Sequence, residues 1–226
     1  MRHNLRAAAG TDDALIAQAA TFHPWDAMTP ASLSAIRDRG PFSSAAETGC
    51  GASTIVLSHC SRRHTAFAIE GENRTITALR GRSDLGAGTV AFVEGLAKDT
   101  LPAYAFAAEL DLVLLDGPHA YPLPQVEFTY LFPHLRLQGW LVLDDIQIPS
   151  VHELFRFLRR EPSVALEETV GRTAFFRRIR QAGPESGPDG WWLQRMNRHA
   201  VLRYSWRERL RRLFGRDHPN HANETA

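Results

Sequence analysis

Two short segments, Asp116-Gly117-Pro118-His119-Ala120-Tyr121 and Asp144-Asp145, carry three carboxylates and an imidazole. Oxygen ligands of this kind suit hard divalent cations such as Mg²⁺, Mn²⁺ or Ca²⁺ rather than zinc. An imidazole titrates near neutrality, so His119 is a candidate acceptor for a hydroxyl proton. The competing reading of His119 is a turn residue bonding a backbone carbonyl. A third segment, Ala46-Glu47-Thr48-Gly49-Cys50-Gly51-Ala52-Ser53-Thr54, is built differently. Its glycines let the backbone turn tightly and approach a ligand, and a following helix would offer free N–H groups. A dinucleotide fingerprint needs glycine where Thr54 stands. Glu70, 19 residues beyond Gly51, is spaced to accept both hydroxyls of a ribose.

Short apolar strands alternating with helical stretches must position these residues. The strand candidates are Phe42–Thr48, Thr65–Glu70, Thr89–Glu94, Leu110–Asp116 and Trp140–Asp144, each pair separated by room for a crossover helix. Near-continuous apolar runs at Leu110–Leu115 and Trp140–Leu143 fit central strands covered on both faces. Ala165–Val170 and Thr173–Ile179 are joined by Gly171-Arg172 alone, too short for a parallel crossover, which predicts an antiparallel hairpin. Glu47, Glu70, Asp116 and Asp144 then all lie at carboxyl ends of strands, where open parallel sheets bind ligands. Any one of these acids is explicable as a helix cap; all four on one rim are better explained by a site. Thr29-Pro30 predicts a helix start ended near Gly40, and Ser150-x-x-Glu153 after Pro149 reads as a capping box. The domain reading is a helical cap over residues 1–40, an α/β core over 41–180, and a linker with a basic helical tail over 181–226.

Taken together, Glu47-Thr48-Gly49-Cys50-Gly51-Ala52-Ser53-Thr54, Leu115-Asp116-Gly117-Pro118-His119-Ala120-Tyr121 and Gly139-Trp140-Leu141-Val142-Leu143-Asp144-Asp145 resemble class I S-adenosylmethionine (SAM)-dependent methyltransferases. The likeness is to the bacterial branch written ETGxGxST, and it spans about residues 40–180. It implies a Rossmann-like α/β sheet of five parallel strands plus a terminal antiparallel hairpin, flanked by N-terminal helices and a C-terminal helical extension. It also implies that Gly49 and Gly51 line the methionine part of SAM, Glu47 stands near its amino group, and Ser53 and Thr54 face its carboxylate. Glu70 would hold the ribose, Glu94, Gly95 and Leu96 would border the adenine, and Asp116 would touch the cofactor. Asp116 with Asp144 and Asp145 matches the layout of metal-dependent catechol-type and macrolide-sugar O-methyltransferases, which implies Mg²⁺ or another divalent cation. His119 stands where the catechol-type enzymes carry a basic lysine, which implies a catalytic role for it beside Asp116. Departures are Ser53 in place of a third glycine and Gln138-Gly139 ahead of the fifth strand.

Composition narrows the rest. The chain has 226 residues, 44% hydrophobic and 23% charged, with formal net charge +1; this is an ordinary globular balance. No apolar run approaches the length of a membrane span, and the first residues lack a secretory apolar region. Two cysteines, Cys50 and Cys60, build no disulfide framework. The cytoplasm is the expected location. From Arg195 to Arg216 there are eight arginines and one acid, Glu208. That stretch reads as two short helices suited to the domain itself, a homodimer contact or an anionic membrane surface. No nucleic-acid-binding signature accompanies it, so no nucleic acid partner is expected. The leading expectation is metal-assisted O-methylation of a small-molecule or sugar hydroxyl; the alternatives are a catalytically silent SAM-binding scaffold and an NAD-dependent dehydrogenase.

Overall fold

The computed structural model describes residues 13–22, 28–86, 89–181, 194–197, 199–200, 202–203 and 205–207. Residues 13–20 are helical. The named elements that follow are α1 (Pro30–Asp38), β1 (Ala45–Thr48), α2 (Ala52–Cys60), β2 (Arg63–Ala68), α3 (Thr75–Arg80), β3 (Thr89–Glu94) and α4 (Ala97–Thr100). Then come β4 (Leu110–Leu115), α5 (Leu123–Leu131), β5 (Leu135–Leu143), α6 (Pro149–Leu158), β6 (Val164–Val170) and β7 (Thr173–Arg178). The strands form one seven-stranded sheet in the order β3-β2-β1-β4-β5-β7-β6. β1 to β5 are parallel, and β7 runs antiparallel to both β5 and β6. This is the α/β class expected, with the five parallel strands and the closing hairpin in place.

Side-chain alternation along the strands divides the interior in two. Val113, Leu115, Leu141, Leu143 and Phe176 face one cluster, shared with α5 and α6 through Phe128, Leu131, Leu154 and Phe155. Leu112, Leu114, Val142 and Phe175 face the other, shared with Leu33 and Ile36 of α1 and Ile55, Val56 and Leu57 of α2. Ile16, Ala19 and Met28 also belong to this second cluster. The described residues before 40 thus pack against the same face of the sheet. Its helix begins as expected: the Thr29 hydroxyl accepts from the Ser32 N–H at 3.2 Å, and Pro30 opens the first turn. At the other end of α1 the Arg39 guanidinium sits between the Trp140 and Phe175 rings, 4.5 and 4.0 Å from their centroids.

Two local expectations are corrected. The Ser150-x-x-Glu153 capping box does not form, because α6 starts a residue early, at Pro149 with Ile148 as its cap. Ser150 lies inside the first turn and its hydroxyl donates instead to the His119 carbonyl. The second correction is that β5 starts at Leu135 rather than Trp140. Leu135 pairs with Leu110 and Trp140 with Leu112, so a bulge over 136–139 absorbs the extra residues. Gln138 sits in that bulge at φ 63°, a left-handed conformation that disfavours a side chain. Most of the basic tail and of the linker, 182–193 and 208–226, lies outside the described residues. Among those described, no helix is long and apolar enough to cross a membrane.

Relief of the Gln138 backbone is measurable. Gln138→Gly should raise unfolding stability by about 0.5–1 kcal/mol, read as a higher urea midpoint at unchanged slope. A lower midpoint would show that the Gln138 side chain offsets its own backbone cost.

Candidate functional site

β1 and β4 are neighbours although β2 and β3 lie to one side and β5 to the other, so the chain's two halves part between them. Ligands of such sheets bind in the crevice at this switch point, outside the carboxyl ends of the strands. A cavity of about 230 Å³ opens there, lined by Gly49, Cys50, Phe67, Ala68, Ile69, Thr75, Gly95, Ala97, Asp116, Gly117 and Pro118. A larger cavity of about 440 Å³ lies between α5 and α6, but none of the strand-end acids lines it. The site is assigned to the smaller one, where the acids and glycines meet.

Gly49, Gly95 and Asp116 are the expected cofactor residues that line this cavity. Gly49 is at φ 81°, and a Cβ there would fall 2.3 Å from the Asp116 carbonyl oxygen, so no other residue fits. Glu47 is placed differently from the expectation. It is fully buried, accepting from Ser53 Oγ at 2.6 Å, from His64 Nε2 at 2.8 Å and from the Thr54 hydroxyl. Thr54 in turn accepts from the Gly51 N–H at 2.9 Å. Glu47, Ser53 and Thr54 thus tie the glycine loop from behind instead of facing the cavity. Glu70 accepts from the Ile76 and Thr77 N–H groups at 3.1 and 2.8 Å and from the Thr77 hydroxyl at 2.6 Å, capping α3. The Thr77 hydroxyl and these amides hold its carboxyl below the ordinary range. Glu94 pairs with Arg80, and Leu96 caps α4; neither lines the cavity.

Beside the cavity, Asp116, His119 and Asp145 bring one ligand atom each within 4.8 Å of one another. His119 Nε2 lies 3.8 Å from Asp116 Oδ1 and 3.6 Å from Asp145 Oδ2, ion-pair distances too long for hydrogen bonds. The same nitrogen is buried without a hydrogen-bond partner. Asp145, at φ 55°, turns its other oxygen to Arg172 Nε at 2.9 Å and Gln147 Nε2 at 2.9 Å. Asp144 is not in the cluster: it is buried and its carboxylate accepts from the Thr173 hydroxyl. Among the described residues the cluster is therefore two carboxylates and an imidazole, with Asp144 outside it. Burial pushes the Asp116 carboxyl up to about 7, against the neighbouring imidazole and with added repulsion from Asp144. The Asp116 carboxylate holds His119 above the ordinary imidazole value despite partial burial.

Sequence reasoning missed Glu127, whose carboxyl lies directly behind Gly117. It also missed the apolar wall of Phe67, Ile69 and Ala97. Ile69 carried a signal: an isoleucine preceding Glu70 at a strand end, which the structure leaves 47% exposed.

Residues 46–146 match the family model described as a methyltransferase domain. No curated protein is significantly similar in sequence. Among solved structures, a candidate caffeoyl-CoA O-methyltransferase from Staphylococcus aureus superposes with a TM-score of 0.59 at 14% identity, covering 77% of this chain and 96% of that one. TomG of Streptomyces achromogenes, an O-methyltransferase involved in tomaymycin synthesis and seen with SAM, gives 0.56 at 19% identity over 74% and 90%. The O-methyltransferase from Bacillus cereus, in complex with S-adenosylhomocysteine (SAH), gives 0.54 at 16% identity over 75% and 91%. At these identities the likeness is one of fold, that of the class I methyltransferases.

Cys50 lines the cavity, yet burial, with Glu47 and Glu70 nearby, pushes its thiol up to about 12. Burial takes Cys60 to about 11. At pH 8 the thiolate fraction of either is at most about one part in a thousand. Neither should be alkylated by iodoacetamide in the native protein, as read by intact mass; rapid labelling of Cys50 would mean that the cavity is more open than described.

Proposed function

We propose that this chain, a class I SAM-dependent methyltransferase, transfers the methyl group to a hydroxyl of a small molecule held over Asp116, His119 and Asp145. The observation that carries the reading is His119 Nε2, buried, without a hydrogen-bond partner, and facing two carboxylates beside the cavity. An imidazole in that state lacks a structural partner and is available to a ligand, a proton or a cation. SAM as cofactor is supported by the methyltransferase-domain match and by the bound SAM and SAH of the Streptomyces and Bacillus cereus proteins.

In this reading Gly49 and Asp116 would hold the methionine end of SAM, and Gly95, Ala97 and Ile69 the adenine. Glu70 would hold the ribose while keeping α3 capped, since a carboxylate has more acceptor sites than these three donors fill. The acceptor oxygen attacks the sulfonium methyl in line. An O–C bond forms as the S–C bond breaks, the electron pair returns to sulfur, and the hydroxyl proton leaves the acceptor. His119 Nε2 is placed to take that proton.

The donor set also fits a divalent cation, because a buried nitrogen without a partner lies between two carboxylate oxygens. Asp116, His119 and Asp145 would hold it, with Asp144 turned away. Such a cation supplies Lewis acidity that lowers the acceptor hydroxyl's pKa. The single nitrogen serves one role at a time, ligand or base, and activity in chelator separates them.

With a required cation, EDTA should abolish methyl transfer and Mg²⁺ or Mn²⁺ restore it. Full turnover in chelator leaves His119 as the base. In that case the rate should rise with pH as His119 loses its proton, at a pH above that of an ordinary imidazole because Asp116 holds the charged form, and His119→Gln should flatten the profile. A second expectation concerns Glu70: Glu70→Ala should weaken SAM binding roughly tenfold by calorimetric titration. A folded variant with unchanged affinity would leave Glu70 as a helix cap alone.

A further inference from the structure

Glu127 of α5 is 2% exposed and has no part in the chemistry above. Its Oε2 accepts from the Thr48 hydroxyl at 2.8 Å, and that hydroxyl accepts from the Asp116 N–H at 3.2 Å. Its Oε1 is buried with no hydrogen-bond partner. That oxygen lies against Gly117: a Cβ on residue 117 would fall 2.3 Å from it. Gly117 lines the cavity, so one residue's backbone separates the carboxyl from the space where the methionine end of SAM is placed. A buried carboxylate oxygen without a partner costs several kcal/mol unless it is protonated or meets a positive charge. Burial indeed pushes this carboxyl up to about 7. No arginine or lysine is hydrogen-bonded to it among the described residues.

His119, when protonated, acts on Glu127 through space without a hydrogen bond, and Asp116 opposes it; the cofactor brings a further positive charge. SAM carries a sulfonium cation at the reacting end, and SAH, after methyl loss, carries a neutral thioether in nearly the same shape. We propose that Glu127 is the buried counter-charge to the sulfonium, so that it favours SAM over SAH and its attraction ends when the methyl group leaves. Its position explains why residue 117 is glycine: any side chain there would displace the carboxyl from the cavity wall. This inference rests on the SAM reading and assigns a specificity-determining residue within it.

The test is calorimetric titration of the full chain with SAM and, separately, with SAH. Glu127→Gln keeps the size of the side chain and removes the charge; it should weaken SAM on the order of tenfold while SAH changes less than about twofold, the scale of a shielded charge pair. Thr48→Val removes the hydrogen bond and keeps the charge, so its ratio of SAM to SAH affinity should stay at the wild-type value. Should Glu127→Gln not fold, Glu127→Asp withdraws the charge by one methylene and must lower SAM affinity more than SAH affinity. Equal weakening of both compounds, or no change in either, would overturn the proposal and leave Glu127 a packing residue. Failure of the wild type to bind either compound would overturn the cofactor assignment itself, an outcome distinct from a variant that binds both alike.

Discussion

The close approach of the β1 and β4 ends governs everything the site does. Gly49 rests on the Asp116 carbonyl, the Thr48 hydroxyl accepts from the Asp116 N–H, and Glu127 closes the gap behind Gly117. Three elements meet there, and one of the contacts, Gly49 on the Asp116 carbonyl, tolerates only glycine. Were the ends further apart, the glycine loop would lose its support from β4. Asp116 would also lose the fixed backbone that aims it toward His119 and Asp145. The order β3-β2-β1-β4-β5 makes this contact possible by sending successive crossovers to opposite sides of one seam.

The strands were legible because their burial is written locally. Thr89–Glu94 has the bounds that its alternation predicts, and the apolar run of β4 is buried along its whole length. The hairpin followed from a two-residue connection that admits no other geometry. The partners of the acids were not legible, because they come from distant stretches. Glu47 meets His64, 17 residues on, and Asp144 meets Thr173, 29 residues on. A carboxylate's identity does not say which donor will reach it first. The sequence puts Glu47 and Asp144 on the ligand rim, and the structure shows the donors behind the rim that bond them. Glu127 went unnoticed for the converse reason: it sits mid-helix among ordinary neighbours, and only the packing of α5 against β1 and β4 brings it beneath the cavity. The bulge in β5 was half legible, since Gln138-Gly139 marks a turn but not the strand residue ahead of it.

Burial shapes the electrostatics as much as charge count does. Asp116 and Glu127 are both lifted to about 7 by the protein around them. At neutral pH the site therefore holds less negative charge than its formula suggests. A cation bound there would draw protons off these groups, which would link its binding to proton release.

The β1–β4 pairing also constrains how the polypeptide must come together in time. The Asp111 N–H donates to the Ser44 carbonyl, joining positions 67 residues apart. During synthesis, β1 can pair with β2 early, but its other edge stays open until β4 has emerged. Ala45 and Ala46, small residues in the middle of the finished sheet, present little apolar surface over that interval. The bulky Leu112-Val113-Leu114-Leu115 arrives last at the seam and finds its partner strand already formed. Placing the less apolar strand first leaves less adhesive surface on the edge that waits for its partner.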